Sequence, residues 1–156
     1  MTPNRSDASF WPDSGVILYD GFCVLCSGWT HFVMARDKAR LFRFTPIQSD
    51  YGRALAKALD IDPLNPDTNA VIWQGYAYCR SDAALLVLSH LPGFGWIRVL
   101  NMVPRLVRDM IYRQVARNRY RWFGQRDVCD VGRHSYAERV ITDLPPGATY
   151  TASPGR

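Results

Sequence analysis

A short apolar run, Gly15 to Asp20 (GVILYD), stops at Gly21-Phe22, and two cysteines follow at once, Cys23 and Cys26, at the head of a helical pattern. The run has the length and the flanking turn residues of a buried strand. Trp29, Phe32 and Val33 then recur at three- and four-residue steps as far as Asp37-Lys38, the spacing of a helix. A strand feeding straight into a helix N-terminus constrains the chain to a layered α/β unit, in which helices cover the faces of a sheet.

The rest of the chain continues that pattern. Arg40 to Ile47 (RLFRFTPI) alternates polar and apolar residues and reads as a second strand. Ser49 is a good N-cap for a short helix reaching Leu59. Asp60 to Asn69 holds two prolines and reads as a loop. Ala70 to Trp73, Gln74-Gly75 and Tyr76 to Cys79 read as a tight hairpin. Ser81 is the expected N-cap of a helix over Ala83 to Leu91, stopped by Pro92-Gly93. A βαβ unit followed by a ββα unit is the layout of a thioredoxin-like core. After Gly95 the pattern is helical again, with Pro104 suited to the first turn of a long helix ending before Gly124. A shorter helical pattern covers Ser135 to Ile141. The arginine-rich helices over 96–142 are thus an addition to one domain spanning 15–142. Residues 1–14 read as a flexible arm, with Phe10 and Trp11 able to dock on the body, and 143–156 as a disordered tail.

Composition sets outer limits. With 156 residues, 47% hydrophobic and 21% charged, the chain can bury a core as one domain without staples. No run of about 20 apolar residues occurs, which argues against a transmembrane helix. The first residues lack the apolar core of a secretory signal, so the expected compartment is the cytoplasm, where thiols are mostly reduced. Four cysteines, at 23, 26, 79 and 129, are too few for a disulfide scaffold.

The net charge of +5 has a local origin: Trp96 to Arg126 contains eight arginines and one acid, Asp109. Val103, Val107, Ile111 and Val115 form one i,i+4 row, and Arg105, Asp109, Arg113, Arg117 and Arg121 another, which makes the helix amphipathic and lets Asp109 pair with a neighbouring arginine. Such a face is either solvated with its own counter-ions or attracts nucleic acid, anionic lipid or an acidic protein. Tyr112, Tyr120 and Trp122 could stack on bases, but packing the helix onto the body is their simpler use, so nucleic acid is not the favoured partner.

The cysteine pair carries the chemistry. Cα atoms at i and i+3 in a first helical turn lie roughly 5–5.5 Å apart, within disulfide reach. The unpaired N–H groups and partial positive charge of a helix N-terminus favour thiolate over thiol. Cys23 is therefore expected to be the more exposed and activated sulfur, and Cys26, one turn inside, the buried resolving thiol. The implied reaction is thiol–disulfide exchange, in which Cys23 attacks a disulfide and Cys26 breaks the mixed disulfide. Two other readings stay open: a zinc site recruiting Cys79, Cys129 or His134, although no second C-x-x-C exists, and inert thiols. His31 and His90 lie in apolar helical patterns and receive no role.

The segment V-I-L-Y-D-G-F-C-V-L-C resembles the D-G-x-C-x-x-C signature of the DCC family of predicted thiol–disulfide oxidoreductases. The resemblance continues through Arg43-Phe44, Pro46-Ile47-Gln48-Ser49, Ser81-Asp82-Ala83, Ile111-Tyr112 and Arg117 to Gly124 (RNRYRWFG), and spans roughly Val16 to Cys129. It implies a thioredoxin-like fold and a redox-active Cys23–Cys26 pair. Cys129 recurs in it, so a second redox role there is conceivable beside a plain free thiol; Cys79 reads as packing.

Asp20 is a candidate proton acceptor for Cys26 or, equally, a cap-like acceptor for the helix amides, and a carboxylate near Cys23 would oppose its ionisation. Gly21 suits a strand-to-helix turn needing positive φ or close backbone approach. Thioredoxins place a cis-proline before the third strand; here Thr68 and Asn69 stand there, with no proline nearer than Pro66, which alters the groove that pairs with an extended substrate. Where the family often has proline after its last cysteine, this chain has Cys129-Asp130. Gly21, Phe22, Thr68 and Asn69 are thus the candidate substrate-contacting residues. The expected substrate is a disulfide-bearing protein or a small thiol. No cofactor beyond the cysteine pair is required, and glutathione is a candidate co-substrate, held by arginines near the pair. The competing reading is a non-catalytic binding module whose basic helical face holds an anionic partner.

Overall fold

The computed structural model describes residues 15–62, 69–125, 127, 137–144 and 146. The arm at 1–14, Thr68, Cys129 and His134 lie outside the described residues. Four strands form one sheet: β1 (Gly15–Tyr19), β2 (Phe42–Pro46), β3 (Ala70–Trp73) and β4 (Tyr76–Cys79), in the order β2-β1-β3-β4. β1 runs parallel to β2 and antiparallel to β3, and β3 antiparallel to β4. The crossover from β1 to β2 is helix α1 (Val24–Arg36); α2 (Asp50–Ala58) follows β2, and α3 (Arg80–His90) follows β4. This is the βαβ plus ββα order of a thioredoxin-like core.

The period of β1 explains the layers. Ile17 and Tyr19 face one side with Val33 and Met34 of α1, Ala83 and Val87 of α3, and Leu91 just after it. Val16 and Leu18 face the other with Tyr51, Leu55 and Ala56 of α2. Alternate side chains of a strand point to opposite faces, so a run without polar gaps is what a doubly covered strand requires. α2 seats closely on the end of β2: a Cβ added at Gly52 would run into the Pro46 carbonyl oxygen. Ser49 caps α2, its Oγ accepting the Gly52 N–H at 3.0 Å. Gln74 and Gly75 both take positive φ, +51° and +79°, as the tight hairpin turn demands.

Three local expectations give way. Ser81 does not cap α3, which begins at Arg80; its hydroxyl instead donates to Asp109 at 2.6 Å, a partner distant in sequence. The pattern over Ser135 to Ile141 forms only a single 3-10 turn at Ala137–Arg139 among the described residues, after which Val140 bridges to Phe44 beside β2. Leu144, assigned from sequence to the tail, packs on the α2-side core.

Beyond α3, a 3-10 segment (Gly95–Met102) leads into α4 (Arg105–Phe123), which Gly124 ends at φ +88°. Among the described residues the ion-pair partner of Asp109 is Arg105, at 3.6 Å, and Asp82 takes Arg105 and Arg108. The valine row is not the packed face, since Val107 and Ile111 are exposed. α4 is held on α3 by Arg105, Arg108 and Asp109, and at the end of the sheet by Tyr112, Arg119 and Tyr120, which reach Asn69 and Asp20. Trp122 is exposed. No helix among the described residues is long and apolar enough to cross a membrane.

Candidate active site

β1 ends by delivering Asp20 and Gly21 to the end of the sheet, and α1 starts one turn later. Cys23 is the N-cap of α1, in extended backbone, and its Sγ accepts the Cys26 N–H at 3.4 Å. A sulfur in the cap position receives what a serine or aspartate oxygen would receive there, and gains most when it is an anion. Cys23, Cys26 and Cys79 are all free thiols.

The two sulfurs are driven apart in acidity. The Cys26 thiol donates to Cys23 and is the largest cause lowering the Cys23 pKa; burial opposes it, and the Cys26 amide and the Arg119 guanidinium add to the lowering, bringing Cys23 from 9.0 to about 6. The hydrogen bond to Cys23, followed by burial, pushes Cys26 upward and holds it as the protonated thiol. Such opposed shifts make Cys23 the candidate nucleophile of the pair. Exposure runs opposite to the expectation from sequence: Cys23 is 0% exposed, whereas Cys26 is half-buried. The cause is distant in sequence. The chain leaving α4 passes beside Cys23, with Gln125 bridging to it and the Val24 N–H directed at the Gly124 carbonyl at 3.5 Å.

Asp20 organises the floor of the site. Its Oδ1 accepts the Phe22 N–H at 3.0 Å and Gln48 Nε2 at 2.7 Å, and its Oδ2 accepts Arg119 Nη2 at 3.3 Å and the Tyr120 hydroxyl. Gln48 Oε1 in turn accepts the Gly21 N–H at 3.0 Å. Asp20 therefore caps the turn before α1 and not the helix amides. Gly21 does not adopt positive φ; it is buried in that turn. Arg119 offsets the effect of the Asp20 carboxylate on Cys23, the smallest of the causes acting on that thiol.

Cys26 opens onto a cavity of about 190 Å³ bounded by Tyr19, Leu25, Cys26, Trp29, Asn69, Ala84 and Tyr112. Asn69, immediately before β3, is thus beside the cysteine pair, while Gly21 and Phe22 are not among the residues bounding the cavity. Both main-chain groups of Asn69 are engaged: its N–H donates to the Tyr112 hydroxyl at 3.1 Å, and its carbonyl accepts the Arg80 N–H at 3.3 Å. The Tyr112 hydroxyl donates to the Asn69 side chain. An extended peptide cannot pair with a backbone already paired in this way.

Gln48, Tyr112, Arg119 and Tyr120 were not singled out as site residues, although all four lie within the segments that carried the family resemblance. Arg119 is offset by two residues from the Arg113–Arg117–Arg121 row, a helical phase that points it to the opposite face. Among the described residues no group of three or more His, Cys, Asp or Glu side chains could hold a metal. Cys79 stands at the end of β4, its thiol pKa raised by burial, and does not bound the cavity.

The Cys23 shift has a direct reading in solution. Thiolate absorbance of the reduced protein should titrate with a midpoint near pH 6. Cys26→Ala should move that midpoint upward, and Cys26→Ser, which keeps a donor, should move it less. Because the folded value lies below the unfolded one, the thiolate's contribution to the reduced fold is full above about pH 9 and is lost as pH falls through about 6.

The model of the DCC1-like thiol-disulfide oxidoreductase family matches residues 17–125. The chain is 39% identical over 127 residues to YuxK of Bacillus subtilis (strain 168), described as uncharacterized, covering 81% of this chain and 93% of that one. It is 33% identical over 118 residues to a chloroplastic DCC family protein of Arabidopsis thaliana, covering 74% of this chain and 69% of that one. No solved structure matches. A strand, a turn and a C-x-x-C at a helix N-terminus, joined by α4 residues from the same matched span, place this chain in the DCC1-like thiol-disulfide oxidoreductase family.

Proposed function

We propose that the protein is a thiol–disulfide oxidoreductase in which Cys23 is the nucleophile and Cys26 the resolving thiol. The observation that carries this is the Cys23 sulfur in the cap position of α1, receiving the Cys26 N–H and held toward the thiolate. The Cys23 thiolate attacks one sulfur of a substrate disulfide, forming a Cys23–substrate mixed disulfide and releasing the other sulfur as a thiolate. Cys26 then loses its proton to a released thiolate and attacks Cys23, freeing the second substrate thiol and leaving a Cys23–Cys26 disulfide. The substrate gains two electrons and the cysteine pair loses them; a dithiol or small-thiol reductant restores the pair. The Gly124–Gln125 segment must move aside for the first attack, since it runs against an otherwise covered Cys23. Asp20, accepting four hydrogen bonds, acts as a positioning residue for the turn, not as a base.

The cavity beside Cys26 supports a substrate that presents an apolar group next to its disulfide. Glutathione would bring two carboxylates, and among the described residues no lysine or arginine bounds that cavity. The reading therefore favours an apolar thiol or an apolar side chain flanking a protein disulfide.

The test is an equilibrium redox titration in glutathione and dithiothreitol buffers, with alkylation and peptide mapping of each cysteine. A reversible Cys23–Cys26 couple between roughly −270 and −120 mV is expected, and its value gives the direction of electron flow. A pair that never oxidises while the protein stays folded would sink the assignment.

A further inference from the structure

Ten of the twelve exposed large hydrophobic side chains among the described residues lie between Trp96 and Phe123. They concentrate on the 3-10 segment and the first two turns of α4, where Met102 is 84% exposed, Leu106 82% and Trp96 65%. Soluble monomers rarely show a contiguous apolar patch of this kind unless something covers it. The next turns of the same helix face carry Arg113, Arg117 and Arg121, all exposed and spaced four residues apart, so that Leu106, Met110 and the three arginines form one stripe. Arg98 is exposed on the 3-10 segment. The one acid in this stretch, Asp109, is turned to Ser81 and Arg105.

We propose that this face docks on an anionic lipid bilayer. Apolar tip and basic shaft are arranged along the helix axis in the order an interfacial wedge needs. Leu106 and Arg113 are about 10 Å apart along the axis at 1.5 Å per residue. Interfacial helices sink about 5–10 Å, so a tip at the acyl boundary sets the arginines among the lipid phosphates. Trp96, beside the apolar tip, suits the headgroup level, where indoles collect. Nucleic acid would match the arginines but leave Val99, Met102, Leu106 and Met110 in water. A two-fold contact with a second copy would bury the apolar tip but offer Arg113, Arg117 and Arg121 no acid of the same face to pair with, since Asp109 is held by Ser81 and Arg105. The inward face of α4 carries Tyr112, Arg119 and Tyr120, which reach Asn69 and Asp20, so docking through the tip would leave the cysteine pair beside the helix shaft, on its protein side.

The test is flotation of the full chain with vesicles of phosphatidylcholine alone and with vesicles carrying about 30% phosphatidylglycerol, at low and high salt. Binding is expected on the anionic vesicles only, weakening with salt and accompanied by a blue shift of tryptophan fluorescence. Arg113→Ala with Arg117→Ala should weaken it about 25-fold, at about fivefold per arginine. Leu106→Glu with Met110→Glu should weaken it about a hundredfold or more, while Leu41→Glu, on an exposed site elsewhere, should change nothing. Circular dichroism checks that the glutamate variant is folded; if it is not, the arginine pair and the salt dependence decide. Absence of binding at low salt, or binding that survives both double substitutions, overturns the proposal. So does a wild-type dimer in sedimentation velocity that Leu106→Glu with Met110→Glu converts to monomer, since the face then belongs to a second copy.

Discussion

Replacing Cys23 with serine should abolish disulfide exchange, a fall of at least about a thousandfold, because a cap-position hydroxyl does not ionise near neutral pH and cannot form the mixed disulfide. Replacing Cys26 with serine should leave the first attack intact and stop the second. That variant should therefore accumulate a covalent adduct on Cys23, visible as an added mass that dithiothreitol removes, while turnover is lost. Cys79→Ser should retain wild-type exchange. Mass spectrometry with a model disulfide distinguishes the three cases. Wild-type exchange in both the Cys23 and the Cys26 variants would refute the assignment.

The second large effect is on stability and lies away from the cysteines. Arg139 is buried with its guanidinium across the start of β2. It donates to the Phe42 carbonyl from Nε at 3.2 Å and from Nη2 at 2.7 Å, to the Met34 carbonyl at 3.4 Å, and to the Asp37 carboxylate. Asp37 in turn accepts the Leu41 and Phe42 amides, each at 3.0 Å. Arg139→Ala leaves that carboxylate buried and unmatched, together with two carbonyls. The expected cost is about 3–5 kcal/mol, or a fall in Tm of roughly 6–20 °C. The double variant Asp37→Asn with Arg139→Met removes both charges and should lose less than Arg139→Ala alone. Denaturant unfolding of the three proteins measures this. Equal losses in the single and double variants would show that the ion pair is not the source of the effect.

What could be read from the sequence was local. GVILYD, the hairpin around Gln74-Gly75, the Ser49 cap and the Gly124 stop each rest on side chains a few residues apart, and each element stands where those patterns place it. The helix-N-terminus argument expects a lowered Cys23 pKa, and that pKa is lowered, though chiefly by the Cys26 thiol and in smaller part by the Cys26 amide at the cap. It misplaced the exposure of the two cysteines because the segment beside Cys23 comes from position 125, which no local pattern reports. Arg119 and Arg139 were out of reach in the same way: an arginine's neighbours in sequence do not say whether it faces water or a buried carboxylate. The exchange of Ser81 from cap to partner of Asp109 shows a tertiary hydrogen bond overriding a local preference.

The closures that complete this fold span almost the length of the chain: Tyr120 reaches back 100 residues to Asp20, and Arg139 reaches back 102 to Asp37. On a ribosome adding ~5–20 residues per second, about 5–20 s separate the emergence of each carboxylate from that of its partner. During that interval the nascent βαβ unit carries unmatched acids, and Cys23 waits without the segment that later runs beside it. The newly made chain is therefore open to thiol oxidants before its fold is finished, and the C-terminal third supplies the cover last.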